Sequence, residues 1–395
     1  MYLSKEEERI LSGYEGAVKQ RALEIIVKVG EALGASRLIK VNKAHVSGIS
    51  YKNIGDAGLE LIEELSKSGG CFSVPTSLNP AGMDLKLWKY MNLSEDYVEK
   101  QLRIIEYLES MGAKPLLSCV PYLINPPSFK EQIAWGESNA ILYANSVLGA
   151  RTNREGGPLA LFEAIAGRAP YVELRTNEFR KPTVSVFCKL SKESWFSQLP
   201  GLVGFHIGSM VKSGVPYITG VHEIFKSDYD LRLFLAGLGT AGGIGLALIK
   251  GISPEAPKEV PKELEKLEVD EKELKDNYEK ISVEIEKPDA IALGCPHLSN
   301  KELYKIIQAI RLKGRAHKRM IVFVPRTMSN SLSLMKLRRY NLEIYNDTCM
   351  VVCDLKAMGI ERVIVDSAKA AYYLTSQGYE VQLMPFNEIL RGAFT

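Results

Sequence analysis

The sequence lacks any apolar run long enough to cross a membrane. A spanning helix needs roughly 18 consecutive apolar residues, and no stretch of the chain approaches that length. The N-terminus, MYLSKEEERILSGYEG, turns acidic early and has no continuous apolar core, so it does not have the pattern of a signal peptide. We therefore expect a cytoplasmic protein without a membrane partner.

An excess of charge of either sign is also missing. Lys and Arg together number 50 and Asp and Glu 47, which leaves a net charge of +3 over 395 residues. Proteins that bind nucleic acid through its backbone usually carry a strongly basic face. The balance argues against a nucleic-acid partner, and the short basic stretch 311–319 is interpreted as a solvated helix end and loop.

Cysteine is scarce as well. Six cysteines in a chain of this length do not form a dense disulfide framework. In a reducing compartment they are buried small hydrophobic residues, reactive thiols or metal ligands.

Strand and helix patterns alternate along most of the chain, which predicts an α/β fold with mainly parallel sheets flanked by helices. Three domain-level segments are expected: an N-terminal α/β region, a charged, proline-containing connector and a C-terminal α/β domain, at 1–252, 253–288 and 289–395. Predicted strands lie at 37–41, 71–75 and 114–119 in the first segment and at 289–295, 319–325, 342–347, 362–367 and 380–385 in the last.

The stretch GLGTAGGIG contains G-x-G-x-x-G at Gly237, Gly239 and Gly242. A dinucleotide site needs a strand before these glycines and a helix after them. Here the preceding residues have a helical pattern and the following ones a strand pattern. The motif therefore predicts tight helix-to-strand packing rather than a nicotinamide or flavin site.

Three cysteines, Cys119, Cys295 and Cys349, each lie at or just past the carboxyl end of a predicted strand, where reactive groups of open α/β sheets collect. Three thiolates that leave one metal position open suit an iron–sulfur cluster with an accessible iron. The alternatives are packing cysteines, as expected for Cys188, or a structural zinc, which usually takes four ligands. Cys353 is an alternative third ligand, but the polar loop before Cys349 favours Cys349.

Polar loops and helix starts supply candidates for binding an anionic substrate. The loops 45–50 and 74–80 offer small residues, backbone N–H groups and hydroxyls, and the stretch 135–157 is dense in polar side chains that include Glu137 and Ser138. Lys369 opens a predicted helix after a strand and could pair with a phosphate or carboxylate. The alternative for each is a helix cap or an exposed surface group.

Taken together, these segments resemble the catalytic domain of the aconitase X family. The matching stretches include SVPTSLNP, SCVPYL, GESNAILYANSVLGARTNREGG, GFHIGSMV, GVPYITG, GCPHLSNKEL, NDTCMVV and DSAKAAYY. The resemblance implies an aconitase-like, multi-domain iron–sulfur hydro-lyase, with a 4Fe-4S cluster at a domain interface held by Cys119, Cys295 and Cys349. It also implies substrate contacts from Gly48, Ile49, Ser50, Asn79, Pro80, Glu137, Ser138 and Lys369.

The resemblance further implies what the reaction and the partner are. Archaeal two-chain members dehydrate (R)-5-phosphomevalonate to trans-anhydromevalonate 5-phosphate in a modified mevalonate pathway, and we expect this chain to be such a large subunit. A small swivelling-domain subunit would complete the heterodimer or a larger assembly and carry the catalytic base, a serine by analogy with aconitase. The alternatives are a cis-3-hydroxy-L-proline dehydratase and a non-catalytic iron–sulfur or RNA-binding regulator, which the near-neutral charge disfavours.

Overall fold

The computed structural model describes residues 1–191, 193–259, 263–329 and 334–394. The chain forms two compact units, each built from segments that are not contiguous in sequence. Unit 1 comprises Met1–Gly82, Ser94–Lys181 and Ile252–Glu255, and unit 2 comprises Met83–Leu93, Pro182–Gly251 and Ala256–Thr395. The division of the sequence into 1–252, 253–288 and 289–395 stays a prediction. Within the described ranges, no helix is both long and apolar enough to span a membrane.

Unit 1 is a small α/β unit. Its helices are α1 (Lys5–Leu11), α2 (Ala17–Ala32), α3 (Tyr51–Lys67), α4 (Glu95–Ser110), α5 (Ser138–Tyr143) and α6 (Gly157–Ala166). Its strands are β1 (Leu38–Lys40), β2 (Ala44–Val46), β3 (Thr76–Leu78), β4 (Ala134–Trp135) and β5 (Arg168–Pro170). The predicted strand at 37–41 is confirmed by β1, which pairs antiparallel with β5.

The sheet that matters for function in unit 1 has the order β3-β2-β4 and is parallel throughout. The strand predicted at 71–75 is wrong, because pairing begins only at Thr76, after Pro75. The strand predicted at 114–119 is a line of bridging contacts beside β3, through Ser77↔Lys114 and a hydrogen bond from the Ser118 N–H to the Leu78 carbonyl. Strands of two or three residues are too short to show the alternation on which sequence prediction depends.

Unit 2 contains the longer elements. Its helices are α7 (Pro200–Val211), α8 (Asp228–Ala241), α9 (Glu271–Ile281), α10 (Asn300–Lys313), α11 (Arg326–Ser329), α12 (Leu334–Leu337), α13 (Ala368–Ser376) and α14 (Phe386–Gly392). Its strands are β6 (Val184–Cys188), β7 (Pro216–Thr219), β8 (Leu248–Ile249), β9 (Glu265–Val269), β10 (Ala290–Leu293), β11 (Met320–Phe323), β12 (Leu342–Tyr345), β13 (Arg362–Val365) and β14 (Glu380–Leu383).

Two parallel sheets organise unit 2, in the orders β8-β7-β6-β9 and β12-β11-β10-β13-β14. The five strands predicted near the C-terminus are all confirmed. Strands β10 and β11 are buried at every position, which explains their continuous apolar sequences, AIAL and MIVF. The α/β class with mainly parallel sheets flanked by helices is therefore confirmed.

The predicted connector contains regular structure. Within it, β9 adds to the edge of the first sheet beside β6, and α9 begins after Asp270, whose carboxylate accepts from the N–H groups of Lys272 and Glu273. An edge strand with one face in solvent tolerates charged residues, and β9 is exposed or half-exposed along most of its length. Residues 260–262 of the predicted connector lie outside the described residues.

The glycine-rich motif lies at the end of α8, and a strand follows it, as the sequence predicts. The packing partner differs from the expectation, however, because these glycines allow two helices to approach each other. A Cβ on Gly237 would lie 2.0 Å from the Gly201 carbonyl oxygen of α7, and a Cβ on Gly204 would lie 2.0 Å from the Phe234 carbonyl oxygen of α8. Helix-to-helix contact, rather than helix-to-strand packing, therefore accounts for the motif.

Replacing Gly237 by alanine is expected to destabilise unit 2 by about 1–3 kcal/mol, because the added methyl group forces α7 and α8 apart. Gly243→Ala is the matched control, since a Cβ there meets only the Lys212 carbonyl oxygen, at 3.4 Å. Thermal unfolding followed by calorimetry measures both variants. Equal midpoints for the two would contradict the close-packing explanation.

Candidate active site

The loops of unit 1 that carry candidate residues all leave the same edge of one sheet. Strands β2, β3 and β4 are parallel neighbours, so the segments that follow Val46, Leu78 and Trp135 emerge side by side. These segments hold seven of the eight predicted substrate residues: Gly48, Ile49, Ser50, Asn79, Pro80, Glu137 and Ser138. The eighth, Lys369, belongs to unit 2.

A buried glutamine fixes the loop that contains Gly48, Ile49 and Ser50. The Gln101 side chain donates to the Ile49 carbonyl at 3.0 Å and accepts from the N–H groups of Tyr51 and Gly82, both at 2.9 Å. Gly48 has φ +70° with open space where a Cβ would be, a conformation that favours glycine. Sequence reasoning missed Gln101 because it occupies an ordinary position in an amphipathic helix.

Glu137 has a structural role that sequence reasoning gave as the alternative. It precedes α5, where its Oε2 accepts from the Ala140 N–H at 2.8 Å and its Oε1 lies 3.4 Å from the Ser138 hydroxyl. Glu137 as a whole is 7 % exposed. Capping fixes Glu137 and Ser138 at the sheet edge, so the cap and a substrate contact are compatible.

Cys119 ends the segment that runs beside β3 and lies at the same edge. Its carbonyl accepts from Asn139 Nδ2 at 3.3 Å, and Asn139 Nδ2 also donates to the Tyr122 hydroxyl at 2.9 Å. Asn139 Oδ1 is buried and has no hydrogen-bond partner within the described part of the chain. A buried polar atom that lacks a partner is a feature of sites that hold a further group.

In unit 2 the corresponding edge belongs to the sheet β12-β11-β10-β13-β14. Cys295 follows β10 and Cys349 follows β12, with β11 between the two strands. The two loops are joined directly, because the buried His297 ring donates from Nε2 to the Thr348 carbonyl at 2.8 Å. With Nε2 donating to this carbonyl, His297 acts as a loop-joining residue.

A buried arginine secures the turn after Cys295. Arg232 of α8 donates to the His297 carbonyl at 2.9 Å, and its guanidinium pairs with Asp228 at 2.9 Å and with Glu302 at 2.6 Å. Burial alone would raise the pKa of Glu302, but Arg232 and bonds from Ser299 outweigh it and lower the pKa. The carboxylate therefore stays charged, and α10 is held against the Cys295 loop.

The structure separates Cys349 from Cys353 by environment. Cys349 is 7 % exposed and Cys353 is completely buried, one turn further on, with its N–H bonded to the Cys349 carbonyl at 3.0 Å. Burial raises the pKa of Tyr379, and the neighbouring Asp354 and Cys353 add to the rise. This placement supports Cys349 as the third ligand. Burial raises the pKa of Cys188 to about 11, which fits a packing role.

A carboxylate pair around Arg326 was not predicted. Asp84 is buried and accepts from the Asn346 N–H at 2.7 Å and from Arg326 at 3.1 Å. Arg326 also pairs with Asp347, whose backbone is left-handed at φ 63°. These bonds fix the loop that leads to Cys349. Asp84 lies more than 240 residues before Arg326, so nothing in the local sequence indicates the pairing.

Lys369 lies in the first turn of α13, as predicted, and is half-buried. Ser367 caps this helix by accepting from the Ala370 N–H at 3.2 Å. The preceding Asp366 accepts from the Tyr229 hydroxyl at 2.7 Å, and burial raises the pKa of Asp366 to about 7. Asp366, which was not predicted either, lines a cavity of about 90 Å³.

The candidate thiols have the chemistry that an iron–sulfur group requires. Among the described residues, no three His, Cys, Asp or Glu side chains converge as ligands of a single metal ion. A four-iron cluster binds each thiolate to a different iron and does not need such convergence. Cys119 and Cys349 each lie beside a buried polar atom that has no partner in the described ranges, Asn139 Oδ1 and Thr348 Oγ1. The donor set fits thiolate ligation of a cluster.

Comparison with known proteins identifies the family. The models for the first, second and third domains of aconitase X match residues 1–178, 182–279 and 288–395. The chain belongs to the aconitase X family. The solved holo-form of Thermococcus kodakaraensis aconitase X superimposes with a TM-score of 0.91 at 35 % identity, and all of both chains is covered.

This chain is similar to relatives that carry two different names. The phosphomevalonate dehydratase large subunit of Methanocaldococcus jannaschii is 38 % identical over 99 % of this chain and all of its own, and that of Thermococcus kodakarensis is 36 % identical over all of both. The cis-3-hydroxy-L-proline dehydratase of Pseudomonas aeruginosa is 30 % identical over 93 % of this chain, which spans 65 % of that longer protein.

Proposed function

We propose that this aconitase X chain is the large, catalytic subunit of an iron–sulfur hydro-lyase that dehydrates (R)-5-phosphomevalonate to trans-anhydromevalonate 5-phosphate. Full-length identity of 36–38 % to phosphomevalonate dehydratase large subunits carries the proposal. The gathering of seven candidate substrate residues at one sheet edge supports it. The name "large subunit" of these relatives supports a small-subunit partner for this chain.

Cys119, Cys295 and Cys349 would hold the cluster, with Cys353 buried behind Cys349. When bound, such a cluster supplies a Lewis-acidic iron for the departing hydroxyl. The chain itself orients the substrate. Backbone N–H groups and the Ser50 hydroxyl at the start of α3, together with the Asn79 amide, would bind substrate oxygens.

The remaining substrate contacts would come from Glu137, Ser138 and Lys369. Lys369 supplies a positive charge that suits the phosphate or the carboxylate, whereas Glu137 and Ser138 would contact the hydroxyl group. By analogy with aconitase, a serine on the small subunit would remove the proton α to the carboxylate.

The substrate is tested on the enzyme assembled anaerobically from this chain and the small subunit of the same source. We expect turnover of (R)-5-phosphomevalonate and none of cis-3-hydroxy-L-proline. The reverse pattern would assign the chain to the hydroxyproline group instead. Salt-sensitive RNA binding by an inactive complex would favour a regulator.

Replacing Lys369 by methionine is expected to raise the KM for phosphomevalonate about 10- to 100-fold, because one charged hydrogen bond to the substrate is lost. Lys305, an exposed lysine on α10, provides the matched control as Lys305→Met. Steady-state kinetics of the assembled enzyme measure both. A KM unchanged in Lys369→Met would remove this lysine from the substrate site.

A further inference from the structure

His45 occupies the middle strand of the unit 1 sheet and has no role in the mechanism above. It is fully buried on β2, opposite Ser77 of β3 and Trp135 of β4. Its ring meets Trp135 edge-on, with 6.0 Å between the ring centroids. The candidate substrate loops begin two residues further along β2 and at the ends of both neighbouring strands.

Both ring nitrogens of His45 have polar neighbours. Nδ1 lies 2.8 Å from the Ser77 hydroxyl, and Nε2 lies 3.3 Å from Asn79 Oδ1. An amide oxygen can only accept, so Nε2 carries the hydrogen and donates it to Asn79. Nδ1 then accepts from the Ser77 hydroxyl at 2.8 Å, a shorter contact than the 3.3 Å from the same hydroxyl to the Ala44 carbonyl. Burial lowers the pKa of His45 to about 4, so the ring is neutral and carries one proton at neutral pH.

This arrangement determines which way the Asn79 amide faces. With Oδ1 held by the histidine, the Nδ2 group points away from the ring and presents two N–H donors. We propose that His45 is a positioning residue that fixes the Asn79 amide so that its N–H groups donate to an oxygen of the substrate. The inference rests on the proposed function, in which Asn79 contacts the substrate.

Two further groups at the sheet edge influence the pKa of the His45 ring. The Ser118 carbonyl, directly before Cys119, and the Glu137 carboxylate both favour the protonated imidazole, although burial has the larger effect. The ring therefore lies where three functional segments meet: the Asn79 loop, the start of α5 and the residue before a candidate cluster ligand. A neutral ring with a fixed tautomer can orient these groups without adding a charge next to them.

Two isosteric substitutions separate the two hydrogen bonds. An asparagine at position 45 can reproduce Nδ1 but not Nε2, whereas a glutamine can place its amide N–H where Nε2–H was. In the assembled enzyme, His45→Asn is expected to raise the KM for phosphomevalonate about tenfold with kcat changed less than about twofold. His45→Gln is expected to restore the KM to within about threefold of the unmodified enzyme.

A double-mutant cycle distinguishes positioning from general stability. In an Asn79→Ala background, His45→Asn is expected to have no further effect on KM, because the amide that it orients is gone. An additive effect would overturn the inference. Iron content and the thermal midpoint are measured for every variant, and a variant that loses its cluster is excluded from the cycle.

A measurement on the unmodified protein covers the case in which the variants do not fold. Nitrogen-15 NMR of the imidazole rings identifies which nitrogen of His45 carries the hydrogen. The Nε2–H form is expected, and the Nδ1–H form would overturn the inference. If the unmodified enzyme fails to dehydrate phosphomevalonate, the proposed function is wrong. The tautomer measured by NMR then still shows whether His45 donates a hydrogen bond to Asn79.

Discussion

We expect each of the variants Cys119→Ser, Cys295→Ser and Cys349→Ser to lower kcat/KM about 10³-fold or more. Without the Lewis-acidic iron, the activation free energy of dehydration rises by about 4 kcal/mol or more. A serine hydroxyl stays protonated at neutral pH, so it does not replace a thiolate ligand. Each variant is therefore expected to lose most of its iron and sulfide after anaerobic purification with the small subunit. Iron and sulfide analysis and visible absorption measure the loss.

The control variants for this prediction are Cys353→Ser and Cys188→Ser. Cys353 is completely buried behind Cys349, and Cys188 lies in β6 with a thiol pKa raised by burial to about 11. Both are expected to keep the cluster, with at most a stability cost. Loss of the cluster in Cys353→Ser but not in Cys349→Ser would reverse the ligand assignment. If all five variants kept their full iron and sulfide content, the cysteines would be packing residues and not cluster ligands.

Arg232→Met is expected to destabilise unit 2 by about 3–5 kcal/mol, because it leaves Glu302 as an uncompensated buried charge. The guanidinium is completely buried and also holds the His297 carbonyl in the turn after Cys295. We therefore expect a lower unfolding midpoint by about 10 °C, accompanied by reduced iron content. Calorimetry and iron analysis of the assembled enzyme test the two effects.

Two companion variants identify the cause. Arg232→Lys keeps the charge but loses the forked geometry, so an intermediate midpoint is expected. Arg232→Met combined with Glu302→Leu removes both charges and is expected to recover part of the lost stability. A midpoint for Arg232→Met within about 1 °C of the unmodified protein would show that the pair contributes little.

The part of the site that the sequence predicted consists of residues that follow apolar strands. Cys295 comes two residues after AIAL and Cys349 four residues after LEIY. The five C-terminal strands were predicted because buried parallel strands have continuous apolar sequences. In unit 1 the strands have only two or three residues, and β2 lies in a stretch predicted as a loop. The loop residues were nevertheless predicted as candidates, from their polar composition and the resemblance to aconitase X.

The residues that orient the site were not predictable in the same way. Gln101, Asp84 and Arg232 contact loops that are 50 or more residues away in the sequence, and each looks like an ordinary residue of its own helix or turn. His45 gave no indication of its role either, because that role depends on the register that sets it opposite Ser77.

The sequence by itself determined the α/β class, the parallel C-terminal strands, the aconitase X family and the chemical character of the candidate ligands. These follow from local pattern and residue type, which a linear chain displays directly. Only the tertiary structure decided that seven substrate candidates share one sheet edge, that Cys353 is more buried than Cys349, and that the glycine-rich motif joins two helices. Those outcomes depend on strand order, register and burial, which arise from contacts between residues far apart in the chain.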